Sequence, residues 1–291
     1  MVARLKETER HADHEESEMM QVEEENEKVE HPLVEGKTER ERERRWLPYR
    51  RAKDGASVRL FLFHWAGASA SAFSHLDSLA SEALEVCSVQ MPGREDFHFD
   101  EYEGRSTITD LAKAFISDLK GYFTDGGKQS VFFGHGTGCW FAFEVARILE
   151  STRHVGFRPP VTMFVSCFPA PDIPVDARPW PTFSEMNESE FIREMCTVWR
   201  VPRIALKPPA LSAFYGALRR DFNLLDDYMC AHEVPKPVME HNNEDGVEEG
   251  EGRTRLQCPI GIFLSRDDPF VGPNKGEPVL MEAWGKVRKV A

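Results

Sequence analysis

The feature that most constrains this chain is a strand-like run, Ser130–Phe133, that meets a helix-like run, Trp140–Glu150, across Gly134-His135-Gly136-Thr137-Gly138. A strand that turns into a helix over so few residues crowds its own backbone. Glycine relieves that crowding because it has no Cβ. Gly134 and Gly138 therefore read as flanks of a sharp turn that lifts position 136 to the end of a sheet. In the G-x-S-x-G form of this turn the central serine is a nucleophile. Here the centre is Gly136, so the scaffold is kept and the attacking side chain is not.

The same alternation continues on either side. Ser57–Phe63 is an apolar run of strand formers that ends in the small-residue loop His64–Ser71. Ala72–Ala83 has helical spacing of Phe73, Leu76 and Leu79, and Leu84–Val89 reads as a strand. Ile108–Tyr122 carries a helical apolar face. Val161–Val165 and Ile260–Leu264 are further strands, and residues 172–231 read as mostly helical. Strands alternating with helices predict an α/β fold with a mostly parallel central sheet covered on both faces.

Charge is unevenly placed. The 291 residues hold 36 basic and 49 acidic groups, a net of −13. Residues 1–45 contribute −6 and residues 232–255 contribute −4. The body is therefore near neutral and lacks the basic footprint of a nucleic-acid binder. Residues 1–45 read as a disordered charged arm, with a short helix around Glu23–Glu30 or Glu39–Arg45 as the other reading, and 232–255 as an acidic insert. No apolar run is long enough to span a membrane. The six cysteines are scattered singly, with no metal-ligand or disulfide spacing, and no metal or cofactor is indicated. A soluble, reduced, cytoplasmic protein is expected.

Several segments in order resemble the type II thioesterases, α/β-hydrolases that cleave acyl chains from carrier proteins in polyketide, nonribosomal-peptide and fatty-acid synthesis. FFGHGTGCWFAFEVARIL resembles their elbow and following helix, and LFLFHWAGASASAF their first strand and oxyanion loop. VQMPGR (Val89–Arg94) is similar to their Q-L-P-G-R segment, FVSCFPAP (Phe164–Pro171) to a strand end, LRRDFNLL (Leu218–Leu225) to the lid helix, and CPIGIFLSRDDP to the strand that carries the triad aspartate. The resemblance runs from about 57 to 284. It implies a domain over 46–291 with a helical lid at about 172–231.

The resemblance also implies site roles. The nucleophile position falls on Gly136 and the triad acid on Asp268, with Asp267 its less favoured neighbour. The backbone N–H groups of Ala66 and Thr137 become the oxyanion donors, and His135 an elbow packing residue. The triad histidine is expected in a stretch after Trp284. No histidine follows His241 in the 291 residues, so the chain reads as stopping short of it. Thr137, Cys139, His135 and His64 are the candidate substitutes. Cys139 reads as a buried structural cysteine and Arg94 as an ion-pair partner beside the turn residue Gly93. Phe191, Met195, Trp199 and Phe222 form stripes that read as lid core or as walls of an acyl channel. The implied partners are an acyl thioester and the acyl carrier protein or synthase module that presents it. The substrate side carries phosphopantetheine or CoA. Three readings stay open: a non-catalytic acyl or carrier binder, an incomplete chain of a thioesterase, and an enzyme with relocated catalytic residues.

Overall fold

The computed structural model describes residues 37–95, 97, 98, 107–124, 127–153, 156–207, 210–230, 256–265 and 284. The chain divides into two compact units, Met1–Thr38 and Glu39–Ala291; the fold described below is that of the second. The acidic insert 232–255 and the Glu23–Glu30 stretch lie outside the described residues.

Five described strands form one parallel sheet: β1 Val58–Phe63, β2 Leu84–Val89, β3 Gln129–His135, β4 Thr162–Ser166 and β5 Ile260–Phe263, in the order β2-β1-β3-β4-β5. The α/β expectation therefore holds. The chain leaves β1 toward one edge and returns to build β3, β4 and β5 on the other side. The order reverses between β1 and β3, where Phe63 pairs with Gly134. In open α/β sheets the crevice beyond the strands' carboxyl ends at such a reversal is where ligands bind. The loops that follow β1 and β3 both start there.

Apolar runs in β1 to β4 follow from burial on both sheet faces. Phe61, Phe63 and Phe132 pack with Phe115 of α2 (Ile108–Asp118) and Phe123 of the short α3 (Lys120–Thr124). Phe141, on the long helix α4 (Gly138–Ser151), closes the cluster.

Four local expectations are corrected. The charged arm expected to run to residue 45 gives way earlier, because Glu39–Trp46 is a helix, here α1. Acidic residues in its first turn and Arg44 and Arg45 in its last suit the helix dipole. Trp46 anchors it, fully buried, with Nε1–H donating to Asp118 at 2.9 Å. The helix expected over Ala72–Ala83 is instead a 3₁₀ helix, Ala70–Ser78. Ser74 and Ser78 hydroxyls donate to carbonyls three residues back, a local pairing that competes with α-helical bonding. The Ile108–Tyr122 helix is broken at Leu119, which ends α2 before α3 begins. Among the described residues of the lid, only α5 (Glu188–Thr197) and α6 (Ala210–Asp226) are α-helices, with a 3₁₀ turn at Val175–Ala177. Prolines at 171, 174, 179, 181 and 202 interrupt the rest.

Candidate functional site

The turn between β3 and α4 has the geometry its glycines imply. Gly136 sits in the left-handed region at φ +56, and its N–H bonds to Ser166 O at 3.0 Å. A Cβ at Gly134 would lie 2.6 Å from Cys139 Cα. One at Gly138 would lie 2.5 Å from the His64 carbonyl oxygen and nearer still to that of Phe63. Neither flank can carry a side chain without moving the backbone. At Gly136 a Cβ would meet only Trp65, at 3.0 Å from its Cβ. The centre is thus the one position of the three where a side chain could emerge, and this sequence has none there.

Thr137 begins α4 as its N-cap, and Ala66 lies in the loop after β1. Among the described residues, no backbone group accepts a hydrogen bond from the N–H of either one. Asp268 and Asp267 lie outside the described residues, beyond the end of β5. Among the described residues, no group of three or more metal-ligating side chains is assembled.

The substitute nucleophiles and bases fare poorly. Cys139 is fully buried, its thiol donates to Gly134 O at 3.1 Å, and burial pushes its pKa up. It is a structural cysteine. His135 Nδ1 pairs with Ser166 Oγ at 2.9 Å, and its ring meets Trp65 edge-on. His64 is 4% exposed, and its Nδ1 lies 2.9 Å from Trp65 O. Because a carbonyl only accepts, Nδ1 carries the proton and Nε2 presents a lone pair without a described partner. Burial first, and then the Arg94 charge, lower the His64 pKa to about 3. A ring that holds an added proton only near pH 3 is a poor general base at neutral pH.

Sequence reasoning placed Arg94 in an ion pair but missed its partner. Asp221 of α6 pairs with Arg94, and both side chains are buried. Arg94 also donates to Ala68 O and Pro92 O, each at 2.8 Å, and Asp221 accepts from Gly67 N–H at 2.8 Å. Burial pushes the Asp221 carboxyl up, against the pull of Arg94 and of Gly67. This network ties the loop after β1 to the lid helix. The signal was present: Asp221 lies between Leu218, Phe222 and Leu225 on the same apolar stripe, and a carboxylate on such a stripe needs a partner. Gly93, at φ +86, makes the turn that brings Arg94 inward.

Two hollows flank the turn. A small apolar cavity of about 30 Å³ lies beside Thr137 and Gly138, walled by Phe63, Met91, Phe141 and Leu225. A space of that size takes about two water molecules. A groove of about 880 Å³ runs between the loop Trp65–Ala72, the Arg94 turn and the lid segments around Trp199 and Leu218. Of the four channel candidates only Trp199 lines this groove. Phe191, Met195 and Phe222 are fully buried in the lid's own core, with Phe222 packed on Phe183 and Trp199 at ring distances of 4.6 and 4.5 Å.

Residues 58–268 match the family described as Thioesterase domain. The chain belongs to that family. It is 28% identical over 247 residues to the gramicidin S biosynthesis protein GrsT of Aneurinibacillus migulanus, covering 84% of this chain and 82% of that protein. It is 25% identical to the human medium-chain S-acyl fatty acid synthase thioesterase, over 80% of this chain and 75% of that one. Among solved structures, the type II thioesterase BorB from the borrelidin biosynthetic cluster aligns with a TM-score of 0.59 at 24% identity, covering 83% of each chain. RedJ, from the prodiginine pathway of Streptomyces coelicolor, aligns equally well at 22%, covering 82% and 80%. Those two structures support the fold.

Proposed function

We propose that this thioesterase-family chain binds acyl groups held as thioesters on phosphopantetheine, presented by a carrier protein or CoA, and does not cleave them by the serine mechanism. The observation that carries the reading is Gly136. The turn and its flanking glycines are present, and the N–H groups of Ala66 and Thr137 are read here as oxyanion donors, while Gly136 has no side-chain atom that can attack a carbonyl. Such a site still offers hydrogen bonds to the thioester oxygen. The large groove gives the carrier arm a path to it.

Magnitude supports binding over turnover. Loss of a triad nucleophile costs on the order of 10⁶ in turnover and leaves roughly 10³–10⁴ over water. A protein with that residue missing spends nearly all of its time as a complex or as free protein. The expected partners are therefore carrier domains of a synthase, which it would engage without releasing their cargo.

The test pairs two readouts on one sample. Butyryl-phosphopantetheine, or a butyryl carrier protein, is titrated against the protein while thiol release is followed. Saturable binding with thiol release at the uncatalysed rate is expected. A release rate well above background that Asp268→Ala abolishes would overturn the reading and point to a nucleophile elsewhere.

A further inference from the structure

The loop that carries Ala66 is gripped from the lid. Ala68 N–H donates to Trp65 O at 3.1 Å and closes a turn over Ala66 and Gly67. A Cβ at Gly67 would lie 2.8 Å from Leu218 Cδ1, so helix α6 packs directly on that turn. Asp221 follows Leu218 by three residues and shares its face of α6. Its Oδ2 accepts from Gly67 N–H at 2.8 Å.

His64 stands on the other side of Ala66. Its Nδ1 donates to Trp65 O, which leaves Nε2 an acceptor. His64 and Asp221 both line the hollow of about 30 Å³, together with Thr137 and Gly138. They are 4% and 6% exposed. Each carries one buried acceptor without a hydrogen-bond partner among the described residues, His64 Nε2 and Asp221 Oδ1. Arg94 adjoins both: it pairs with Asp221, and after burial its charge is what lowers the His64 pKa. Two acceptors cannot bond to each other, and leaving buried polar groups unmet is costly. A water molecule brings two donors, and the hollow has room for it.

We infer that a water bound in this hollow donates to His64 Nε2 and to Asp221 Oδ1, and that Asp221 thereby positions the Ala66 N–H. One carboxylate oxygen holds Gly67 directly. The other holds His64 through the water, so the carboxylate fixes the chain on both sides of Ala66. Arg94 steadies the carboxylate and also grips Ala68 O at 2.8 Å. This rests on the reading of Ala66 as an oxyanion donor and names what aims it. Such a donor works when it is held in place before the ligand arrives.

The experiment has two arms. A high-resolution crystal structure of the full chain should show a water within about 3.2 Å of both atoms. No water there overturns the inference. In the second arm S-butyryl-pantetheine is compared with S-butyl-pantetheine, the thioether that lacks the carbonyl oxygen. Trp65 and Trp199 line the groove beside Ala66 and report binding by fluorescence quenching. The unaltered protein is expected to prefer the thioester about fivefold, as one hydrogen bond would give. His64→Leu leaves the Arg94–Asp221 pair in place and should at least halve that preference. Asp221→Leu should bring it close to one while affinity for the thioether changes less than twofold. Asp221→Asn should keep it, because the amide offers an acceptor to Gly67 and a donor toward the water. A merely structural loss weakens both ligands alike, so an unchanged ratio in either leucine variant overturns the inference and leaves acyl binding intact. Should Asp221→Leu fail to unfold cooperatively, His64→Leu decides alone. Equal affinity of the unaltered protein for the two ligands would overturn Ala66 as a donor, and its positioning with it. Binding of neither ligand would sink the acyl-binding reading as well.

Discussion

Three glycines do two different jobs within five residues of the β3–α4 turn. Gly134 and Gly138 are there because the neighbouring backbone leaves no room for a Cβ, whereas at Gly136 an added Cβ would be tight only against Trp65, at 3.0 Å from its Cβ, on a backbone already in the left-handed region at φ +56. Gly134→Ala and Gly138→Ala are each expected to destabilise the protein by about 1–3 kcal/mol or more, since backbone atoms cannot yield as a side chain can. Gly55→Ala is the control, because nothing lies within 4 Å of the added carbon. Urea unfolding of the three variants checks this; equal midpoints for all three would mean that the turn is looser than its distances imply. The turn's scaffold could be read from five letters of sequence, as could the absence of a side chain at its centre. Asp221 was legible only as a carboxylate on an apolar stripe that needs a partner; that the partner is Arg94, 127 positions away, only the fold shows.

Among the elements, the strands were the most legible. Buried parallel strands write themselves as continuous apolar runs, and β1 through β4 each fell within a residue or two of where those runs place them. Helix α1 shows the opposite case. Its sequence, ERERERRW, has no apolar periodicity, so composition alone assigns it to a solvated arm. What makes it part of the fold is one residue: Trp46, edge-on to Phe97 and Phe115 at 5.0 and 5.2 Å and stacked on Phe141. Arg42 adds an ion pair to the same Asp118 that accepts from the indole. Trp46→Ala is therefore expected to cost about 3–5 kcal/mol, and Trp46→Phe less, though it leaves Asp118 without the indole donor. Thermal unfolding followed by near-UV circular dichroism measures both. A loss below about 1 kcal/mol for the alanine variant would mean that α1 is dispensable to the body. The lid was only partly legible, because prolines break its helices and its aromatic stripe packs on itself as well as lining the groove.

For the whole molecule, acid is the condition that should reveal the buried histidine. His64 has a folded pKa of about 3 against roughly 6.5 for an unfolded histidine. Between those values the unfolded chain binds the proton and the folded chain refuses it, so stability rises with pH across that window and is lost as pH falls. The slope approaches about 1.4 kcal/mol per pH unit. Other groups act lower down. For Glu85 and Glu144 burial raises the carboxyl pKa, but Lys128, the Lys53 N–H, Arg50 and Arg59 around the first, and Arg147 with the Thr109 and Tyr228 hydroxyls around the second, outweigh it and hold the pKa below the usual range. Their contribution is present above about pH 4.3 and is lost below it as they protonate. Asp221, with its pKa raised, acts with the opposite sign. Subtracting one protein's curve from another's isolates His64. Unfolding free energies from urea titrations at pH 7, 6, 5.5 and 4.5 should fall more steeply for the unaltered protein than for His64→Asn. The difference should approach one proton's slope between pH 6 and 4.5. Asparagine can still donate to Trp65 O, which keeps the local backbone bond. Parallel curves would show that the His64 ring takes up its proton in the folded state and that its burial is looser than its 4% exposure implies.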